Sequence, residues 1–400
     1  MKYSDLASTE FYQNPYPLYE RLRQAGPLVQ IAPNTLIAGR YESVRAVLAD
    51  KKMGKAYMLA VQSRYGESGP RQPAFQMLSR VLLMMNPPTH TRLRALLMKA
   101  FNSKQVELMR ETIEAVADEL VDALPSDKPF DLVSDFAVPM PLRIICRMMD
   151  VPLADASMLG AETERFAQAL EAAPLNAEQL ERANAATQNM AAYFRDVVAA
   201  RRRRPGTDLI SMLMSVNENG DAFTEDEIVS NAILMFAAGH ETTANMIGNA
   251  LIALHRNPEE LAKLRAQPEL LSDAVTECIR YDGSIQAIQR VALEDTEIAG
   301  TPIPRGTIVM LSLGAANRDP AQYKDADRLV IDRSDHPGLP LTFAAGIHYC
   351  LGARLAILQV ETALSALLRK APQLQLLNLN ELCWHQRNVL HGVTSLIGTR

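Results

Sequence analysis

Residues 343–352 read FAAGIHYCLG and place a single cysteine among small and aromatic neighbours. The fixed positions of the pattern F-x-x-G-x-H-x-C-x-G are Phe343, Gly346, His348, Cys350 and Gly352. From the composition of this chain, such a match is expected by chance in about four of a million sequences of equal length. The pattern therefore needs a chemical explanation, and the thiol of Cys350 is the group to explain.

The composition is that of a soluble globular protein with a sizeable core. The chain has 400 residues, of which 48% are hydrophobic and 22% charged, and its formal net charge is −5. No stretch approaches the roughly 18 consecutive apolar residues of a membrane span, and the first residues lack the basic and apolar order of a signal peptide. We therefore expect a cytoplasmic protein with no membrane segment and, given its mild acidity, no nucleic-acid partner.

The cysteines form no close pair in the sequence. They are Cys146, Cys278, Cys350 and Cys383. This spacing predicts neither a disulfide framework nor a thiolate zinc site. Any cysteine chemistry is therefore expected of one sulfur at a time. A cysteine hydrolase would pair Cys350 with a base, and His348, two residues away, is poorly placed for that role.

Helical patterns dominate the chain, and strand patterns gather near both ends. LVQI and TLIA flank Asn34 as a short hairpin, and RVALED, TIVMLSL and LQLL predict strands nearer the C-terminus. Residues 51–88 contain several glycines, prolines and methionines and are expected to form an irregular, functional loop. No repeat or low-complexity linker divides the sequence, so we predict one domain over residues 1–400.

The longest helical pattern begins at Thr224 and stops at Asn257-Pro258. Its first residues, T-E-D-E, form a capping box with Glu227. About 32 residues at 1.5 Å each predict a helix of roughly 48 Å. At its centre, AAGHETT sets a glycine beside an acid and a hydroxyl. Taken alone, this motif favours a tolerated kink, because a threonine can bond to the carbonyl four residues earlier.

A second helical pattern covers residues 268–282 and carries Glu277 three residues before Arg280. Side chains at this spacing lie on the same side of a helix and can form an ion pair. Taken alone, such a pair is expected to be exposed and to stabilise the protein little.

The stretch around Cys350 resembles the haem-binding loop of the cytochrome P-450 family, whose cysteine thiolate is the axial ligand of the haem iron. The resemblance continues through further motifs in chain order, namely NPYPLYERLR at Asn14, HTRLR at His90, AGHETT at Ala238, ECIRY at Glu277 and the segment from RDP to IDR that ends at Arg333. It implies a mainly α fold with a small β region, the triangular helical prism of the family. Haem b is then expected between the long central helix and the cysteine loop.

The resemblance implies that Cys350 binds the iron, in a loop that glycines allow to wrap around the sulfur. A thiolate ligand favours O–O cleavage, the step that makes a monooxygenase. The residues expected to contact haem are His90, Arg94, Ala238, Gly239, Arg290, Phe343, Gly346, His348, Cys350 and Gly352. A buried structural triad of Glu277, Arg280 and Arg333 is expected to brace the loop. Ala344 stands where the family usually has glycine, and we expect a slight local change there.

Thr242 and Glu241 carry over as the catalytic residues. The Thr242 hydroxyl is expected to hold oxygen and an ordered water, and Glu241 is expected to connect the site to solvent as a proton source. Gly239 and Ala238 are expected to leave space for oxygen above the iron.

The substrate is expected to be a hydrophobic small molecule, because the positions that line the pocket in this family are nearly all apolar here. These positions are Met84, Met85, Leu234, Ala237, Ile285, Ile288, Val389 and Leu390. By a loose likeness to bacterial members, the expected class is a polyketide, macrolide or terpenoid of secondary metabolism.

The resemblance implies a monooxygenase that hydroxylates or epoxidises its substrate with O₂, using electrons from NAD(P)H delivered by ferredoxin reductase and ferredoxin. Two alternatives stay open: a haem-thiolate enzyme that uses peroxide or rearranges its substrate, and a non-catalytic haem-binding protein. The Glu241–Thr242 pair argues against both. An acidic ferredoxin is expected to meet a basic patch, although ordinary solvated surface explains the same residues, which are Arg92, Lys99, Lys104 and Arg354.

Overall fold

The computed structural model describes residues 1–170, 174–218, 220–334 and 338–400. Within these residues the helices are α1 Thr9–Gln13, α2 Tyr16–Ala25, α3 Tyr41–Ala49, α4 Tyr57–Tyr65, α5 Pro73–Ser79, α6 Thr89–Ala100, α7 Ser103–Leu108, α8 Arg110–Ala123, α9 Pro139–Met149, α10 Ala156–Ala167, α11 Ala177–Arg203, α12 Leu209–Ser215, α13 Glu225–Arg256, α14 Pro258–Ala266, α15 Leu271–Tyr281, α16 Leu313–Asn317 and α17 Ala353–Lys370. The strands are β1 Val29–Ala32, β2 Thr35–Ala38, β3 Met53–Gly54, β4 Phe130–Asp131, β5 Asn217–Glu218, β6 Asp221–Ala222, β7 Ala287–Ala292, β8 Thr296–Ile298, β9 Thr301–Ile303, β10 Ile308–Ser312, β11 Gln375–Leu376 and β12 Ile397–Thr399. The mainly α class with a small β region is confirmed.

Helix α13 is the long helix that the sequence predicts. Its first turn is a capping box, in which the Glu227 N–H donates to Thr224 Oγ1 at 3.2 Å and the Thr224 N–H donates to Glu227 Oε2 at 2.9 Å. The helix continues for 32 residues and ends at Arg256. Pro258 then starts α14, since proline has no N–H to leave unpaired in a first turn. No helix within the described ranges is both long and apolar enough to cross a bilayer.

The largest sheet has the strand order β1-β2-β10-β7-β3. The predicted hairpin of β1 and β2 turns at Asn34, whose φ of 56° lies in the left-handed region that asparagine tolerates. Strand β10 pairs parallel with β2 and antiparallel with β7, and this register sets Arg290 opposite Val309. Arg290 therefore lies on a central strand of the sheet and not at an edge.

The chain divides into two compact units. Unit 1 comprises Met1–Gly54, Glu111–Pro141 and Thr242–Arg400. Unit 2 comprises Lys55–Arg110 and Leu142–Glu241. Helix α13 begins in unit 2 and continues into unit 1 at Thr242. One domain over residues 1–400 stays a prediction.

The expectation of an irregular loop over residues 51–88 is wrong in part, because α4 and α5 lie within it. The residues that suggested a loop mark helix ends instead. Gly66, with a φ of 68°, follows the last turn of α4, and Pro73 occupies the first turn of α5. The rings of Tyr65 and Phe75 pack with their centroids 4.7 Å apart, which holds the two helices together.

Candidate active site

The loop around Cys350 is built by backbone contacts. The Cys350 N–H donates to the Phe343 carbonyl at 3.0 Å, and the Tyr349 N–H donates to the Gly346 carbonyl at 3.0 Å. Gly346 has a φ of 70°, and a Cβ there would collide with the carbonyl oxygen of Leu48. Only glycine therefore fits this close approach of the loop to α3.

The thiol of Cys350 lies just before α17, a helix of 18 residues that begins at Ala353. The positive end of a helix dipole favours a negative charge, so this position favours a thiolate. Gly352 is the N-cap residue of α17, which places it between the cysteine and the helix. The loop thus has the local electrostatics of an anionic ligand.

The other cysteines differ from Cys350 in their surroundings. Cys146 and Cys278 are buried, and burial raises the pKa of Cys146 to about 11 and that of Cys278 still further. Both thiols therefore stay protonated at neutral pH. Cys383 is exposed, whereas Cys350 is half-buried. No group of three or more His, Cys, Asp or Glu side chains among the described residues is arranged to hold a metal ion.

Ala344 adopts a backbone conformation that glycine normally supplies. Its φ of 57° and ψ of −162° lie in a region that is almost restricted to glycine. Its N–H donates to the Leu341 carbonyl at 2.7 Å, so the turn forms despite the Cβ. The departure from the family pattern is therefore a point of backbone strain beside the cysteine loop.

Arg290 is a buried cation with no carboxylate partner among the described residues. It is 4% exposed, and its one described hydrogen bond runs from Nη1 to the carbonyl of the adjacent Gln289 at 3.0 Å. Burial lowers the pKa of Arg290 to about 10, and no described carboxylate acts against that effect. The guanidinium is therefore still charged at neutral pH, and burying such a charge is costly unless an anion pairs with it. A haem propionate is an anion of the required kind, so this residue fits the cofactor that the resemblance implies.

The structure brings Glu277, Arg280 and Arg333 together in a buried cluster. Arg280 forms a bidentate pair with Glu277 at 2.7 Å for both bonds, and Arg333 Nε lies 3.1 Å from Glu277 Oε2. The other three Arg280 N–H groups donate to the carbonyls of Asn317, Ala326 and Arg328 at 2.8, 2.7 and 2.9 Å. The exposed pair that the spacing alone favours is therefore not what forms, because the segment around residues 317–333 covers α15.

The motif AGHETT lies in the middle of α13, as predicted. Ala238 is exposed there, although its neighbour Ala237 is buried, and Gly239 leaves the helix surface open apart from Ile145. Thr242 and Glu241 are both half-buried. His240, to which sequence reasoning gave no role, is buried, and burial lowers its pKa while its Nδ1 lies 3.0 Å from the Phe236 carbonyl.

The residues of the HTRLR motif lie on α6 in unit 2. His90 is buried and Arg94 is half-buried. Arg92, expected in a basic patch, instead pairs with Asp221 at 3.0 Å and with Glu227 at 2.9 Å. Two carboxylates of this chain offset its charge, which weakens the case for Arg92 in a basic patch, and the partner surface stays a prediction.

The candidate substrate residues divide between the two units. Those in unit 2 are Met84, Met85, Leu234 and Ala237, and those in unit 1 are Ile285, Ile288, Val389 and Leu390. In unit 1, Ile285 forms an isolated antiparallel bridge with Leu390, and Ile288 lies on β7. The structure therefore brings two of the predicted segments side by side.

Comparisons with known proteins agree over almost the whole chain. A family model described as Cytochrome P450 matches residues 34–371. The chain is 49% identical over 397 residues to the putative cytochrome P450 133B2 of Xylella fastidiosa strain 9a5c, which covers 99% of both chains. It is 35% identical over 386 residues to the mycinamicin IV hydroxylase/epoxidase of Micromonospora griseorubida, which covers 94% of each.

A solved structure of P450BioI, in complex with acyl carrier protein ligated to hexadec-9Z-enoic acid, is similar at a TM-score of 0.90 and 33% identity. The match covers 98% of this chain and 100% of that one. The chain therefore belongs to the cytochrome P450 family: it has the fold of that family, binds haem b through a cysteine thiolate, and is an oxidoreductase of the monooxygenase class.

Proposed function

We propose that this protein inserts one oxygen atom of O₂ into a hydrophobic small molecule, with Cys350 as the axial ligand of the haem. One observation carries the proposal. Unit 1 holds both a half-buried cysteine at the start of α17 and Arg290, a buried cation without a described anionic partner. A haem provides what each group lacks, namely an iron for the thiolate and a propionate for the guanidinium.

The cofactor supplies, when bound, an iron centre that activates O₂. The role of the Cys350 loop is to keep the sulfur ionised, through the dipole of α17 and the tight turn at Gly346. Arg290 holds a propionate and offsets its own desolvation in doing so. The remaining haem contacts are proposed by resemblance: His90, Arg94 and His348 for the propionates, and Ala238, Gly239, Phe343 and Gly352 for the ring faces.

Thr242 and Glu241 move the protons that the reaction consumes. They are adjacent on α13, and the side chains of both are partly accessible. The Thr242 hydroxyl can both accept and donate a proton, and the Glu241 carboxylate can take one from solvent. The adjacent His240 is held neutral by burial and is not needed as a proton source.

The substrate class follows from the apolar character of the candidate lining residues. The mycinamicin relative is named as a hydroxylase and epoxidase, and the P450BioI structure contains an acyl chain on a carrier protein. The first supports hydroxylation or epoxidation of a macrolide or another polyketide, and the second supports an acyl chain. A terpenoid is proposed only from the likeness to bacterial members of the family. Electrons come from NAD(P)H through ferredoxin reductase and ferredoxin. We propose that the exposed cations Lys99, Lys104 and Arg354 face that partner, and that Arg92 contributes less because two carboxylates offset its charge.

The ligand assignment is tested by the spectrum of the reduced, CO-bound protein. The wild type should show the red-shifted Soret band of thiolate-ligated haem, and Cys350→Ser should abolish it. Cys383→Ser, at an exposed cysteine, is the matched control and should leave the band unchanged. A Cys350→Ser protein that keeps the band would overturn the assignment.

The proton route is tested by product yield per NAD(P)H with a hydrophobic substrate that the wild type turns over. Thr242→Ala should still consume NAD(P)H but release mostly hydrogen peroxide, because the hydroxyl that directs protons is gone. Thr243→Ala, at the buried neighbour, should keep the wild-type yield. Full yield in Thr242→Ala would move the weight to the peroxide-using or rearranging alternative.

A further inference from the structure

The segment that carries Val389 and Leu390 lies against one face of α13. Thr242, Asn245 and Asn249 are spaced by three and four residues, so they share that face. A Cβ at Gly392 would collide with the Asn245 side chain, so glycine allows the segment to approach the helix closely. The segment is therefore seated one to two helical turns from the catalytic threonine.

Asn249 ties this segment to the one that carries Ile285. It is fully buried, and its Nδ2 donates to the carbonyls of both Asp282 and His391, at 3.1 and 3.0 Å. Beyond this bridge the two segments pair along their backbones. The His391 N–H donates to the Ser284 carbonyl at 2.8 Å, and the Gln286 N–H donates to the Val389 carbonyl at 2.9 Å. One carboxamide thus closes the end of a short antiparallel ribbon.

The side chains at the closed end form a buried histidine–carboxyl pair. His391 Nε2 lies 3.3 Å from Asp282 Oδ1, and both residues are almost completely buried. The indole of Trp384 stacks on the His391 ring at 4.0 Å with an interplanar angle of 8°. Tyr16 donates its hydroxyl hydrogen to Asp282, and Arg318 lies over the Tyr16 ring. Trp384 therefore packs on the face of the His391 ring, and Asp282 contacts one edge of it.

The charges of this network favour the ionised carboxyl. Burial alone would raise the pKa of Asp282, but His391, Arg318 and Tyr16 outweigh it and hold the pKa below its usual value. A buried pair of this kind adds little net stability over apolar packing, but it defines one geometry. Together with Asn249, the pair sets the register of the two antiparallel segments at this end.

We propose that Asn249 and the Asp282–His391 pair are positioning residues, which hold Ile285, Val389 and Leu390 at a set distance from Thr242 and so shape the wall that a substrate meets. The inference rests on the proposed function, in which these three apolar side chains contact the substrate. In this proposal the positioning residues contact the two segments and make no direct contact with haem or substrate. Their effect is on the selectivity of the pocket, not on the chemistry.

The test uses two azoles that ligate haem iron, imidazole and 4-phenylimidazole, and measures their affinities by the Soret shift of the purified haem protein. Imidazole is too small to reach the wall, whereas the phenyl ring extends to it. Asn249→Ala should weaken binding of 4-phenylimidazole at least tenfold relative to imidazole. His391→Phe keeps an aromatic ring on Trp384 but loses the contact with Asp282. It should change the ratio of the two affinities in the same direction. This variant replaces Asn249→Ala if Asn249→Ala does not fold.

Matched controls come from the C-terminal end of the same helix. Asn257→Ala removes an amide that bonds only to the Ala253 carbonyl, and His255→Phe removes a part-buried histidine that bonds to the carbonyls of Leu251 and Leu374. Both should keep the wild-type ratio. A wild-type ratio in His391→Phe, with the thiolate Soret band intact, would overturn the inference. Loss of that band in the wild-type protein would instead overturn the proposed function.

Discussion

Arg280 and Arg290 lie ten residues apart in the sequence, and both are almost completely buried, at 1% and 4% exposure. Arg280 has a bidentate carboxylate in Glu277 and three carbonyls within hydrogen-bond distance. Arg290 has the carbonyl of its neighbour and no described carboxylate. A buried charge whose partners belong to the chain is part of the folding of that chain. A buried charge whose partner does not belong to the chain indicates a ligand.

The largest effect is expected where the charge is paired within the chain. Glu277→Gln removes the carboxylate that pairs with both Arg280 and Arg333, and it should lower the free energy of unfolding by about 3–5 kcal/mol. Urea unfolding followed by circular dichroism measures this change. Glu107→Gln is the control, since Glu107 pairs with Arg110 at 2.6 Å on the surface and should change the free energy by less than about 1 kcal/mol. Equal effects of the two substitutions would remove the distinction between the two arginines.

The opposite result is expected at Arg290. Arg290→Leu removes an uncompensated buried charge, so the free energy of unfolding of the haem-free protein should not fall. The loss of a charge-assisted bond of about 1.5–3 kcal/mol to a propionate should speed haem release roughly ten- to hundredfold. Transfer of haem to apomyoglobin measures that rate.

Arg23→Leu is the control for Arg290→Leu. Arg23 is also buried, but its Nη1 donates to the Ala315 carbonyl at 2.9 Å, so its partner belongs to the chain. This substitution should destabilise the fold and leave the haem release rate of the folded protein unchanged. Haem release that is equally fast in both variants would mean that Arg290 does not hold the cofactor.

Local patterns predicted those parts of the molecule whose partners are close in the sequence. The Thr224 capping box, the hairpin at Asn34 and the loop around Cys350 each depend on residues within about ten positions. The resemblance added what no local pattern contains, the family and its haem. For example, the resemblance predicted that Glu277 and Arg280 are buried, whereas their spacing alone favours an exposed pair.

Contacts between distant residues were beyond the sequence. Arg92 was expected in a partner surface, but it pairs with Asp221 and Glu227, which lie 129 and 135 residues away. Likewise, no local signal links Asn249 to His391, 142 residues further along the chain. A charged or amide side chain has many possible partners in a sequence, and only the packed fold selects among them.

Asp282 is a third buried charge to compare with Arg280 and Arg290, and the pH dependence of stability reports on it. His391, Arg318 and Tyr16 hold its pKa below the usual value near 3.8 in spite of burial. The ionised carboxyl therefore stabilises the fold fully above its unfolded pKa, and this contribution is lost as the pH falls through the lower, folded value. In the wild type, the free energy of unfolding should fall as the pH drops below about 5. Asp282→Asn should reduce this fall by about 1.4 kcal/mol for each unit by which the folded protein lowers the pKa of Asp282.

Urea unfolding at a series of pH values from 6 downwards measures this slope. Asp332→Asn is the control, because Lys263 also lowers the pKa of Asp332 but the pair lies at the surface, 2.5 Å apart. It should flatten the slope much less, since solvent screens the pair. If the unfolding free energy of the wild type does not change over this pH range, then contacts within the chain do not stabilise the charge on Asp282. Asp282 would then resemble Arg290.

The smallest effect is expected from the backbone of the cysteine loop, where Ala344 adopts an unfavourable conformation. Ala344 has a φ of 57° and a ψ of −162°, a conformation that costs a non-glycine residue about 1–3 kcal/mol. Ala344→Gly relieves this strain but makes the unfolded chain more flexible by up to about 1 kcal/mol, so a net gain of about 1 kcal/mol is expected.

Ala345→Gly separates strain from flexibility, because Ala345 is extended at a φ of −152° and a ψ of 177°. Glycine there relieves nothing and should lower the free energy of unfolding by about 0.5–1 kcal/mol. The Soret band of the CO complex should stay in place in both variants, since neither side chain carries the thiolate. If the two substitutions change stability in the same direction, the backbone at Ala344 is not strained. The buried charge of Arg290 is then the unfavourable feature of this region that haem binding would offset.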